Sequence, residues 1–305
     1  MKKILLFLAV SAMMTSAVAQ QDAQLTHFFF NNQTFNPGAT AINDKICVGL
    51  TMRNQWVGFT GAPKTGVLNF SMPFARQNGF GITAIADQAG QANDVSVKAS
   101  YSFHADLKNG RKLGLGIDAG IINKGYSPGF KAVDAGDASI AVGSAMTPDV
   151  GVGVFYKSPS LYFGVSSQKL LESKVIIGGT SETHIRRHYY ITGGYNYQMN
   201  PMWLLKPSFL IKSDGTVPQF DVNALAEWNQ KIFAGVTYRY QDAVAALVGY
   251  KVGDLSISYA YDFTTNGLKE PKVGGSQGTH EIYLAYCMKP PTPPKPPVYK
   301  DVTWL

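Results

Sequence analysis

His27, His104, His184, His188 and His280 are the chain's five histidines, and Cys47 and Cys287 its two cysteines. A metal site built from one element wants two histidines on one face, as in H-x-x-x-H or H-E-x-x-H on a helix. Only His184 and His188 are four apart, and that spacing shares a face only on a helix. Here a loop leads into an alternating run, so no metal and no cofactor is expected. The chain has no G-x-S-x-G elbow and no Walker A loop. A Ser or Thr nucleophile, a His and an acid drawn from separate strands would make a hydrolase. The scattered Ser and His neither build nor exclude one, and no catalytic residue is assigned.

The remaining chemistry-bearing side chains are charges set at one parity of alternating runs: Arg53, Lys98, Asp118, Lys206, Glu227, Arg239, Asp262 and Glu281. Mixed signs fit two readings, an internal hydrogen-bonded network or the lining of a channel. The runs that carry them have a period of two. In 254–264, Leu255, Ile257, Tyr259, Tyr261 and Phe263 share one face, opposite Ser256, Ser258, Ala260, Asp262 and Thr264. Runs 95–104, 113–121, 188–198 and 220–228 do the same, which is the signature of strands with one apolar and one polar or small face.

A soluble sandwich also alternates. Two features favour a membrane barrel. The runs reach ~9–11 residues, the length a tilted strand needs to cross a bilayer. Their apolar faces end in aromatics such as Tyr101 and Phe103, Tyr195 and Tyr197, Trp228, and Phe263, as membrane girdles do. Composition agrees. Aromatics make up 12% and charged residues only 15%, with 16 Tyr and 31 Gly, against charge nearer ~25% in soluble domains. No segment after the N-terminus offers ~18 consecutive apolar residues for a spanning helix. The fold expected is all-β: a transmembrane outer-membrane β-barrel of about fourteen antiparallel strands over 46–288, bounded by outer-membrane lipid. With both barrel ends periplasmic, the long connections 123–148, 168–186 and 265–278 fall outside. The short ones at 157–159, 200–201 and 252–253 fall inside.

Before the barrel, 1–19 reads as a secretory signal. Lys2 and Lys3 are its positive start, Ile4 to Val10 begin the apolar stretch, and Ala17-Val18-Ala19 is the cleavage site. Removing the two lysines lowers the formal charge from +7 by two, to +5. That modest, scattered excess and export argue against a nucleic-acid partner. Residues 20–45 form an N-terminal arm whose Phe28-Phe29-Phe30 packs either in a lumen or along a rim. The stretch Arg53 to Pro63 carries turn chemistry and two rings, Trp56 and Phe59, and reads as a hairpin rim. After Met288 the proline-rich 289–305 cannot be a strand. It is a polyproline II spacer whose 17 residues reach ~50 Å if extended. Its end, with Tyr299, Trp304 and Leu305, is either a partner-docking peptide or a solvated remnant.

Cys47 and Cys287 begin the first strand and end the last. Barrel closure makes those strands neighbours, with both cysteines at lumen parity near the periplasmic rim. They form either a disulfide across the closing seam or two free thiols, depending on strand stagger.

Several strings resemble the PorP/SprF family of type IX secretion system outer-membrane proteins. They are Phe35-Asn36-Pro37, Arg53-Asn54-Gln55-Trp56-Val57-Gly58-Phe59-Thr60-Gly61-Ala62-Pro63, Pro148-Asp149-Val150-Gly151-Val152-Gly153, Tyr162-Phe163-Gly164-Val165-Ser166, His188-Tyr189-Tyr190, Pro207-Ser208, Tyr259-Ala260-Tyr261-Asp262-Phe263 and His280-Glu281-Ile282. They run in order over nearly the whole mature chain. The proline-rich tail departs from most members, and the chain looks more like the secretion-system branch than a gliding-adhesin partner. The resemblance implies a non-enzymatic barrel in the machine that exports proteins with C-terminal sorting domains. The implied partners are the ring proteins PorK and PorN and the peptidoglycan-binding PorE. The alternatives are a passive channel or porin, or the partner of one large surface adhesin.

Overall fold

The structure, a computed structural model, describes residues 22–74, 77–128, 142–178, 181–267 and 275–291. The expected signal 1–19 and the tail residues Tyr299, Trp304 and Leu305 lie outside them. Strands β1 (Ile46–Asn54), β2 (Lys64–Phe74), β3 (Asn78–Ala89), β4 (Ala92–Leu107), β5 (Arg111–Tyr126), β6 (Gly143–Lys157) and β7 (Leu161–Gln168) form successive antiparallel neighbours. A small hairpin, β8 (Lys174–Ile177) and β9 (Ser181–His184), stands apart as its own sheet. The wall continues through β10 (His188–Tyr195), β11 (Tyr197–Gln198), β12 (Trp203–Ser213), β13 (Pro218–Trp228), β14 (Ile232–Arg239), β15 (Ala243–Val252), β16 (Leu255–Thr264) and β17 (Thr279–Met288).

The main sheet has 15 segments, but β10 and β11 both pair with β12 and form one interrupted strand, leaving 14 strands around the wall. β1 pairs with β17 from Ile46↔Met288 to Asn54↔His280, which closes the barrel. No helix among the described residues is long and apolar enough to span a membrane. The strands do the crossing instead.

The alternation sets which way each side chain points. On β4, Val95, Val97, Tyr101 and Phe103 lie exposed on the outer wall, while Ser100, Ser102 and His104 are buried inside. Apolar groups outside and polar groups inside is the reverse of a soluble core, and matches a barrel in lipid. Exposed rings gather at both ends of the wall. Phe220, Tyr238, Tyr240 and Phe263 lie at the end with the longer connections, and Tyr101, Phe103, Trp203, Trp228, Tyr250 and Tyr286 at the other.

The strands differ from the sequence reading chiefly in length. β4 and β5 each run 16 residues and β6 runs 15, because their pairing continues past the apolar belt into the outer connections. The 168–186 connection is also structured. Its hairpin places Val175, Ile177 and Ile185 against the inward-facing Ile122, capping one side of the outer mouth. On this hairpin Lys174 lies 2.9 Å from Glu182. Its hydrogen bond and charge hold the Glu182 carboxyl below the ordinary range.

Candidate functional site

The lumen is occupied by the N-terminal arm. Between Asp22 and Asp44 the arm has no formally charged residue, but it is rich in amides and hydroxyls. It folds as two 3-10 turns, Phe28–Phe30 and Pro37–Ala39, flanking one helical turn, Asn32–Phe35. Such irregular backbone cannot stand inside a barrel without partners for its polar groups. The wall's inward side chains supply them. Ser166 donates to the Phe35 carbonyl at 2.7 Å and Ser102 to the Gly38 carbonyl at 3.2 Å, while a His104 ring nitrogen lies 2.9 Å from the Thr40 carbonyl. The arm returns bonds to the wall. Gln33 donates to the Phe70 and Ile82 carbonyls, and Asn36 to those of Val154 and Val165.

Shape completes the fit. The Pro37–Ala39 turn lies against Gly114, Gly116 and Gly153 of β5 and β6, where an added Cβ would run into the backbone of Gly38 and Pro37 or the Asn36 side chain. Glycine is needed there for close approach. The Phe28-Phe29-Phe30 run settles in the lumen: Phe28 packs with Leu25, Phe35, Val67, Tyr190 and Leu210, and Phe30 stacks on Tyr283 with ring centroids 4.9 Å apart.

The densest knot is centred on Arg53. Its guanidinium bonds Glu281 and Asp262, each at 2.8 Å, and donates to the Thr26 hydroxyl at 2.9 Å. Thr26 donates its hydroxyl hydrogen to Asp262 at 2.8 Å. The backbone N–H groups of Thr26 and His27 both donate to Glu281 at 2.8 Å, where the His27 ring also bonds. Arg239 extends the knot to Asp262 and Asp221, each at 3.2 Å. Arg53 and Glu281 are directly opposite across the β1–β17 seam. Of the charges placed at lumen parity by sequence, Arg53, Asp262, Glu281 and Arg239 come together here. Lys98 meets Asp118 and Asp149 at 3.8 and 3.6 Å on another side of the lumen. Lys206 and Lys251 share Glu227 at 2.6 and 2.7 Å lower down.

The knot contains an arrangement that resembles a hydrolase triad: Ser258 Oγ lies 2.8 Å from His27 Nε2, and His27 Nδ1 lies 2.8 Å from Glu281. The surroundings give it a structural role. Ser258 Oγ also lies 2.9 Å from the Val248 carbonyl, so its one hydrogen is contested between that oxygen and the His27 ring. Glu281 already accepts from Thr26, His27 twice, and Arg53, which uses its acceptor sites. All three side chains are buried. Among the described residues no group of three or more His, Cys, Asp or Glu is placed to hold a metal ion.

Three contacts hold the seam at three heights. At the outer end, the Arg53–Pro63 stretch is a clasp: Val57 N–H bonds the Gly278 carbonyl, and Gln277 N–H bonds the Val57 carbonyl, both at 2.8 Å. Its path needs left-handed backbone at Trp56, Gly58 and Gly61, which two glycines supply without strain. Just inside the clasp, one residue from the outer end of β1, stands the Arg53–Glu281 pair. At the inner end Cys47 and Cys287 are opposite in register, with Cα atoms 4.1 Å apart and their sulfurs bonded.

Below the knot the lumen opens. A recess of about 660 Å³ faces the short-turn end, with Phe29, Phe30 and Tyr283 above and Lys45, Lys157, Lys206 and Lys251 around it. The outer half of the lumen is packed and paired, whereas this inner half is roomy and basic. Parity placed the charges and set both cysteines at the seam, but left a disulfide and two free thiols open; the sulfurs are bonded. Sequence reasoning missed the arm's amides and the glycine trough. The available signals were the absence of charge between Asp22 and Asp44 and the Gly-x-Gly spacing on the inward face of β5.

Comparison with known proteins follows the same lines. The family described as type IX secretion system membrane protein PorP/SprF matches residues 17–286. Among solved structures, a FadL homologue of Pseudomonas aeruginosa is 14% identical, with a TM-score of 0.48 over 83% of this chain and 92% of that one. The toluene transporter TodX of P. putida is 11% identical, with a TM-score of 0.49 over 85% and 94%. The KdgM porin is 11% identical, with a TM-score of 0.39 over 79% and 98%. A search of curated proteins finds no match. A closed barrel with a lipid-facing apolar belt places this protein in the outer membrane, and the match over 17–286 shows that it belongs to the PorP/SprF family of type IX secretion system membrane proteins.

Proposed function

We propose that the protein is a docking component of the secretion machine, of the PorP kind, that anchors periplasmic machinery to the outer membrane. The filled lumen carries this reading. A secretion-family barrel whose interior is taken up by its own residues 22–45 serves better as a membrane anchor than as a conduit. Docking falls to the periplasmic face, where the basic recess opens and the 289–305 tail departs. The proline-rich sequence of the tail, with Tyr299, Trp304 and Leu305 at its end, suits a spacer that engages a partner groove. PorK, PorN and PorE are the candidate partners. The Cys47–Cys287 bond holds the seam beside that face, so that the rim keeps its shape under load.

An affinity pull-down from detergent-solubilised envelopes tests this, comparing the full chain with one ending at Met288. Recovery of PorK and PorN with the full chain alone assigns docking to the tail. Recovery with both assigns it to the rim and recess. Recovery with neither, from folded barrels, refutes docking.

A further inference from the structure

The arm has a direction. Its inner end is fixed at the short-turn rim, where Asn43 and Asp44 meet Lys157, the last residue of β6, and Lys112, near the start of β5. From there β1 begins at Ile46. The arm's other end lies at the opposite mouth. Asp22 meets Lys169, the residue after β7, and Tyr190 near the start of β10, and its carbonyl accepts from Lys212 at 3.1 Å. Gln24 reaches Gln219 at the start of β13. Every one of these wall positions adjoins a long-loop-side connection. Going along the chain, residues 22–44 therefore descend the whole lumen before the first strand climbs.

Outer-membrane barrels keep short turns in the periplasm and longer loops outside. An even number of strands would leave both ends of the polypeptide in the periplasm, but the lumenal passage adds one more crossing. We infer that this protein passes through its own barrel and presents its amino-terminal end at the cell surface, with its carboxy-terminal end in the periplasm. Asp22, the residue at that end, lies beside Lys169 and Lys212 at the long-loop mouth.

Thr26 and His27 bond Arg53 of β1, Asp262 of β16 and Glu281 of β17, so the arm ties together the two sides of the seam.

Cysteine accessibility on whole cells decides the topology. In a Cys47→Ser/Cys287→Ser background, Ala23→Cys and Asn43→Cys are each treated with a maleimide–polyethylene glycol too large for the outer membrane's pores. The expected result is that Ala23→Cys reacts as fully on intact cells as after permeabilisation, while Asn43→Cys reacts only after permeabilisation. In a second variant with both native cysteines, an epitope inserted ahead of Asp22 is expected to bind antibody on intact cells, and one placed after Leu305 is not. Heat-modifiable migration confirms a folded barrel in each case. The inference is overturned if, in folded barrels, both the cysteine at position 23 and the epitope are reached only after permeabilisation. Labelling of position 23 alone still supports it, since a bulky epitope can be held in the mouth.

Discussion

The outer and inner halves of this lumen use the same wall strands to opposite ends. In the outer half, Arg53, Arg239, Asp262 and Glu281 are buried and ion-paired with one another, and the arm bonds three of them. In the inner half, Lys206 and Lys251 share one carboxylate and still border an open recess of about 660 Å³. Buried charge is tolerable only when paired and fully hydrogen-bonded. The outer half is therefore committed to structure, whereas the inner half leaves half-buried cations and rings bordering an open recess. Within one barrel, the chemistry with spare capacity marks the face on which a partner can act.

The largest effect should come from breaking the outer knot. Arg53→Met leaves the Asp262 and Glu281 carboxylates buried without their cation, a change worth ~3–5 kcal/mol. Heat-modifiability should be lost or its transition sharply lowered. A Cys47→Ser/Cys287→Ser chain loses a cross-link between residues 240 apart in sequence, for which ~2–4 kcal/mol is typical. The cost should be smaller here than for Arg53→Met, because nine β1–β17 pairs remain. Thermal melting in detergent orders the two. Gly114→Val drives a side chain into the arm's Gly38 and should cost ~1–3 kcal/mol through overpacking. It should also raise protease access to the arm while the wall stays closed. Lys45→Glu, at the recess, should change stability by no more than ~0.5 kcal/mol yet reduce recovery of periplasmic partners. Equal destabilisation by Lys45→Glu and Arg53→Met would erase the contrast between the halves.

Much of the wall was legible because a two-residue period in a one-sided environment leaves little freedom. Ser100, Ser102 and His104 must face inward if Tyr101 and Phe103 face lipid. The lumen charges were legible by the same parity, and mixed sign hinted at pairing. The partners were not, because Arg53, Asp262 and Glu281 meet through strand closure, with more than 200 residues between the first and the next. The Arg53–Pro63 string reads locally as a turn, but its role depends on Gln277 and Gly278 across the seam. The arm was the least legible part. Phe28-Phe29-Phe30 has no period because its turns answer to cavity shape and not to a sheet. The direction of its passage is set by contacts as distant as Asp22 to Tyr190.

The central claim is that this barrel is filled and serves as an anchor. Single-channel recording of the purified full-length protein in planar bilayers tests it most directly. No steady conducting pore is expected. A stable, ohmic conductance of porin size from folded, full-length barrels would show that the arm does not hold the lumen, and would contradict it.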